Sequence, residues 1–82
     1  MQVFYDPIAI RELEKLPEPV QARIRTAALR LDSDPLFGKA LRGELRMLRS
    51  LRVGDYRVLY QWLPQVQRAV IVHIAHRREV YR

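Results

Sequence analysis

The spacing of apolar residues changes once along this chain, and that change constrains the fold more than any other feature. Up to Leu31 the apolar positions recur at helical intervals. Ala9, Leu13 and Leu16 stand at i, i+4, i+7, and Val20, Ile24, Ala27 and Leu31 at i, i+4, i+7, i+11. From Met47 onward they alternate or run continuously, as strands do. Asp6-Pro7 supplies an N-cap and a proline at the first helical position. Pro17-Glu18-Pro19 separates two helices, and Asp32-Ser33-Asp34-Pro35 ends the second. Two helices joined by so tight a turn form an antiparallel hairpin.

A short β-prone run, Gln2 to Tyr5, precedes the hairpin, and residues 36–44 read as a loop bounded by Gly38 and Gly43. Three strands are expected after it: Met47 to Val53, Tyr56 to Leu63 and Arg68 to Ala75. Gly54-Asp55 and Pro64-Gln65-Val66-Gln67 make the turns between them. Val70-Ile71-Val72 is apolar on both faces, as in a central strand. The order β-α-α-β-β-β predicts one α+β domain over residues 1–82. Its helical hairpin packs on one face of a mostly antiparallel sheet. Trp62 and Phe37 are expected in the core, and the other sheet face stays open. With 82 residues and no cysteine, the fold must hold on a small core, burying about 60–65% of its unfolded surface.

Charge is segregated. Residues 1–37 carry five basic and six acidic groups, a net of −1, whereas residues 38–82 carry ten basic and three acidic, a net of +7. Nine of those ten cations are arginine, whose planar fork matches phosphate oxygens bidentately. Lys39, Arg42, Arg46, Arg49, Arg52, Arg78 and Arg82 are therefore candidate contacts to a polyanion. No apolar run approaches the ~18 residues that span a bilayer, and the N-terminus does not read as a signal peptide, so the cytoplasm is expected. Phosphate-loop, dinucleotide and zinc-hydrolase motifs are absent, neither serine sits in a nucleophile elbow, and the carboxylates of the basic half are scattered. No cofactor and no metal is expected.

What remains is histidine, arginine and tyrosine, a set suited to cutting RNA through its own 2′-hydroxyl. A base takes the 2′ proton, the oxygen attacks the adjacent phosphorus, an acid protonates the leaving 5′ oxygen, and cations stabilise the phosphorane. His76, at a strand end, has the side chain suited to proton transfer, with a plain phosphate contact as the alternative. His73 reads as structural. Arg52 and Arg57 should meet across the Gly54-Asp55 turn, and like charges placed side by side call for a bridging anion. Tyr81 can stack on a base or donate a proton, or clasp the tail to the sheet with Val80.

Several segments carry a resemblance: Leu13-Glu14-Lys15-Leu16-Pro17, Asp34-Pro35, Leu41-Arg42-Gly43, and above all Leu51-Arg52-Val53-Gly54-Asp55-Tyr56-Arg57-Val58-Leu59-Tyr60 and His76-Arg77-Arg78-Glu79-Val80-Tyr81-Arg82. From end to end the chain resembles the RelE/ParE superfamily of toxins from toxin–antitoxin pairs. The resemblance implies a toxin that enters the ribosomal A site and cleaves the mRNA there. It implies a RelB-like antitoxin that wraps the toxin, through which alone it meets operator DNA, and no membrane partner. By position, Arg57 matches the catalytic arginine of a core strand, Arg77 the arginine of the last strand that stabilises the transition state or acts as acid, and Tyr81 the base-stacking tyrosine. His76 falls where relatives carry a basic residue or histidine. Two lysines of the best-known RelE toxins are replaced here by Leu48 and Ser50, which leaves the general base to His76 or Arg52. The alternatives are a ParE-like, non-enzymatic gyrase inhibitor and a non-toxic binding remnant on the same fold.

Overall fold

A computed structural model describes residues 2–80. Strand β1 (Gln2–Tyr5) leads into helices α1 (Pro7–Glu14) and α2 (Glu18–Ser33). Strands β2 (Lys39–Ala40), β3 (Arg49–Val53), β4 (Tyr56–Leu63) and β5 (Arg68–His76) follow, and a short helix α3 (Arg77–Val80) ends the described chain. The five strands form one sheet in the order β1-β5-β4-β3-β2. Only β1 pairs in parallel, with β5, so the sheet is mixed and mostly antiparallel as expected.

Local chemistry sets the boundaries. The Asp6 carboxylate accepts a hydrogen bond from the Ala9 N–H at 2.9 Å, and Pro7 fills the first turn. Pro17 caps α2, and the Gln21 amide donates back to the Leu16 carbonyl at 2.8 Å, which tightens the hairpin turn. Ala9 and Leu13 of α1 and Ile24, Ala28 and Leu31 of α2 are buried against Leu51, Val58, Tyr60, Ile71 and Ile74 of the sheet. Among the described residues no helix is long and apolar enough to cross a membrane.

Four details differ from the sequence reading. The strand expected from Met47 starts at Arg49, after a 3-10 turn at Gly43–Leu45. Lys39–Ala40, expected within a loop, is an edge strand paired to Ser50 and Arg49. Leu16 lies beyond α1 and packs on the core from the turn. Phe37 is not core: it is 43% exposed, with the Arg30 guanidinium stacked on its ring at 4.0 Å.

α1 also protects an edge. β1 pairs with β5 only from Arg68 to Ile71, so the rest of β5 lacks a strand on that side. There the Glu12 carboxylate accepts the Ile74 N–H at 2.8 Å and meets His73 Nδ1 at 2.9 Å. This blunts an edge open to foreign strands, and it gives His73 the structural role expected of it.

Candidate nucleic-acid interface

The two-residue turn at Gly54-Asp55 aligns Arg52 directly opposite Arg57. Side chains alternate across a strand, and Leu51, Val58 and Tyr60 point into the helical core. Arg52 and Arg57 therefore stand on the sheet's open face. Lys39 pairs with Ser50, two residues before Arg52, and so joins them. Together Lys39, Ser50, Arg52 and Arg57 line a cleft of about 260 Å³.

Three cations converge on this cleft with no carboxylate among its lining residues. Arg52 is exposed, and its Nε donates to the Gly54 carbonyl at 3.3 Å. Arg57 is half-buried, and among the described residues its Nη1 is a buried donor without a hydrogen-bond acceptor. A buried donor left unpaired costs about 1–3 kcal/mol, more when it is charged. Adjacent like charges add to that cost. An anion in the cleft removes both penalties, and a phosphate offers the acceptor geometry that the guanidinium forks require.

The other basic residues divide. Arg49 lies on the opposite face, where Nε donates to the Gly38 carbonyl at 2.9 Å and Nη2 to the Leu36 carbonyl at 3.0 Å; its donors are spent inside the protein. Arg42 and Arg46 are exposed around the 3-10 turn, and Arg46 reaches the Gly43 carbonyl at 3.3 Å. Arg78 is exposed at the start of α3. Arg77 begins α3 rather than ending a strand. Its N–H donates to the Asp55 carbonyl at 2.8 Å, and its guanidinium sits 3.9 Å from the Asp55 carboxylate, an exposed and weak pair. This anchors Arg77 beside the turn that carries Arg52 and Arg57. Tyr81 and Arg82 lie outside the described residues.

His76 does not share the Arg57 face. It pairs with Tyr56, whose ring it meets edge-on at 5.6 Å, while Arg57 pairs with Ala75. His76 thus turns toward the helices and lines a separate cleft of about 370 Å³ with Glu12, Lys15, Leu16 and Tyr56. The cause is a register shift at Leu59/Tyr60. Tyr60 pairs with Ile71 and Leu59 with His73, so Val72 is an extra, bulged residue. Without that bulge Arg57 would oppose Ile74, and His76 would project from the Arg57 side. One inserted residue exchanges the faces beyond it.

No motif in the sequence marks Glu12, Arg49 and Tyr60 for what they do here. Gly38, immediately before Lys39, was the available signal. A Cβ at that position would lie 2.6 Å from the Tyr60 ring, which only glycine avoids.

Comparison with known proteins agrees with this architecture. A family model described as the ParE toxin of type II toxin–antitoxin systems (parDE) matches residues 3–81. The chain is 40% identical over 80 residues to Toxin RelE of Mycobacterium tuberculosis, covering 90% of this chain and 78% of that protein. It is 38% identical over 82 residues to Toxin RelG of the same organism, covering 98% and 94%. It also superimposes on the crystal structure of a RelBE toxin–antitoxin complex from M. tuberculosis with a TM-score of 0.86 at 36% identity, covering 92% of this chain and 95% of the matched one. The family match runs from β1 through α3, and the chain belongs to the ParE toxin family of type II toxin–antitoxin systems, within the RelE/ParE superfamily.

Proposed function

We propose that this toxin is an endoribonuclease that cuts ribosome-bound mRNA in the A site. The observation that carries the reading is the cleft of Lys39, Arg52 and Arg57, with a buried guanidinium donor awaiting an acceptor. A scissile phosphate seated there meets three cations. The RNA 2′-oxygen attacks phosphorus and the bond to the 5′-oxygen breaks. The products are a 2′,3′-cyclic phosphate and a 5′-hydroxyl. Arg57 and Arg52 hold the non-bridging oxygens as the extra charge develops. Arg77, tied to Asp55 beside the cleft, serves the leaving side. His76 reaches the phosphate only around the end of β5, and Arg52, always protonated, cannot take the 2′ proton; solvent water takes it while Arg52 stabilises the forming 2′-alkoxide, and water returns a proton to the leaving 5′-oxygen. Tyr81 stacks on the substrate base, and Arg42, Arg46, Arg78 and Arg82 guide the flanking backbone. The RelBE complexes among the related structures support a RelB-like antitoxin as partner, one that covers the open face or displaces the tail. Operator DNA is reached only through that antitoxin.

The family model carries the name of ParE, and this favours a second reading, a toxin that inhibits DNA gyrase without catalysis. One induction experiment separates the two. The ribonuclease reading expects growth arrest with cuts inside translated mRNA that end in cyclic phosphates, and Arg57→Ala lowering cleavage roughly 10²–10³-fold. DNA breaks with intact mRNA, or an Arg57→Ala variant of full activity, would overturn it.

A further inference from the structure

Lys39 reaches the cleft on a strand of two residues, too short to hold its own register. The segment before it is fastened by side chains that take no part in the cleft. Tyr60, fully buried, accepts the Gly38 N–H at 2.9 Å and donates its hydroxyl proton to the Pro35 carbonyl at 2.8 Å. Arg49 holds the carbonyls of Gly38 and Leu36 from β3. Both polar backbone groups of Gly38 are thereby fixed, one residue before Lys39. A side chain at Gly38 would strike the Tyr60 ring and hydroxyl, at 2.6 and 2.7 Å. These bonds bridge 11 to 25 positions of sequence, so they join the loop to the sheet rather than shaping the loop alone.

We propose that Tyr60 and Arg49 are positioning residues that set the Lys39 ammonium against Arg52 and Arg57, so that the cleft holds one RNA phosphate with three cations. This rests on the ribonuclease reading and gives Arg49 a role different from phosphate contact. The two side chains act at different ends of the same segment. Tyr60 fixes how deeply Gly38 sits on the sheet, and Arg49 fixes its carbonyl plane. Without them Lys39 remains present but is no longer aimed, and misplacement of about 1 Å is enough to lower a rate by up to ~10²-fold.

The experiment is a double-mutant cycle on the full chain with two readouts: cleavage of ribosome-bound mRNA, and binding of a short oligoribonucleotide to the free toxin. Tyr60→Phe keeps the ring and removes both hydroxyl bonds. Arg49→Gln is the second variant, since it leaves the buried core untouched. Each is expected to cut about tenfold more slowly. Lys39→Met should do the same, and adding either change to Lys39→Met should cost nothing more in cleavage or binding, because the group being aimed has gone. Amide exchange at Gly38 and Lys39 should quicken in Tyr60→Phe while that of β4 and β5 stays protected. Multiplicative losses in the double variants, or wild-type rates in both clamp variants, would overturn the positioning role while leaving the ribonuclease reading intact. A wild type that leaves mRNA uncut, with binding losses still non-multiplicative, would sink the ribonuclease reading and keep the clamp.

Discussion

Arg57 shows at one residue how stability and the proposed function oppose each other. Among the described residues its Nη1 is buried without an acceptor, and its cross-strand partner on β3 is another arginine. A core selected for stability alone would not hold this arrangement. Arg57→Met, which keeps length and removes charge, is therefore expected to raise unfolding free energy by about 1–3 kcal/mol while abolishing cleavage. Urea denaturation and the mRNA assay measure the two effects on one sample, and a destabilised variant would show that the guanidinium is satisfied in solution by other means. Tyr5 offers a second, independent reading. Burial raises its pKa above 10.0, and the nearby Arg25 acts in the opposite direction. The unfolded chain then releases the phenol proton first. The contribution of Tyr5 holds below pH 10 and is lost as pH rises through its higher folded value. Tyr5→Phe should flatten the alkaline fall of stability above pH 10 and leave neutral pH unchanged, as melting temperatures across that range would record.

At the scale of elements, the join between α1 and β5 depends on one carboxylate. Glu12 satisfies the Ile74 N–H and meets His73 where β5 has outrun β1. Glu12→Ala strands that donor at an uncovered edge and should cost about 1–3 kcal/mol, with faster amide exchange at Ile74 than elsewhere in β5. Gly38→Ala should be comparably harmful, because the added Cβ meets a ring held by two hydrogen bonds, and overpacking costs about 1–3 kcal/mol in urea unfolding. The same elements show why the sequence was legible in parts. Both helices, the Arg52–Arg57 rung and the bounds of β4 follow from local signals: apolar period, prolines and a two-residue turn. β2 has no period to read, since two residues carry none, and its existence depends on Tyr60 and Arg49 far along the chain. The face of His76 was equally hidden. Ile71-Val72-His73-Ile74 is apolar enough that a bulge leaves no gap in the pattern, yet Ile71 and Ile74, three apart, both reach the core only because Val72 is inserted. Parity counted straight along the strand would put His76 on the Arg57 face.

Over the whole molecule, topology sorts the charge. β5 and β4 occupy the middle of the sheet and carry most of its share of the core, so the cationic rung is pushed toward β3 and β2 at one edge. The helices, whose half of the chain is nearly neutral, cover the other face. On the proposed function a strand of RNA meets a sheet edge with three cations in a cleft and exposed Arg42 and Arg46 on the 3-10 turn that follows β2. Binding through phosphates releases condensed counterions, with a slope of about 0.7 in log K per log salt for each phosphate neutralised on a single strand. If the cleft takes one phosphate and the exposed arginines two more, the slope for the free toxin should be about −2. The charge of the cleft acts as a unit, so Lys39→Met should weaken binding yet change the slope little, whereas a paired Arg42→Gln and Arg46→Gln change should flatten it by about 1.4. Titrating a fluorescent oligoribonucleotide at several salt concentrations measures all three slopes. A wild-type slope near zero would mean that the segregated charge does not face RNA at all.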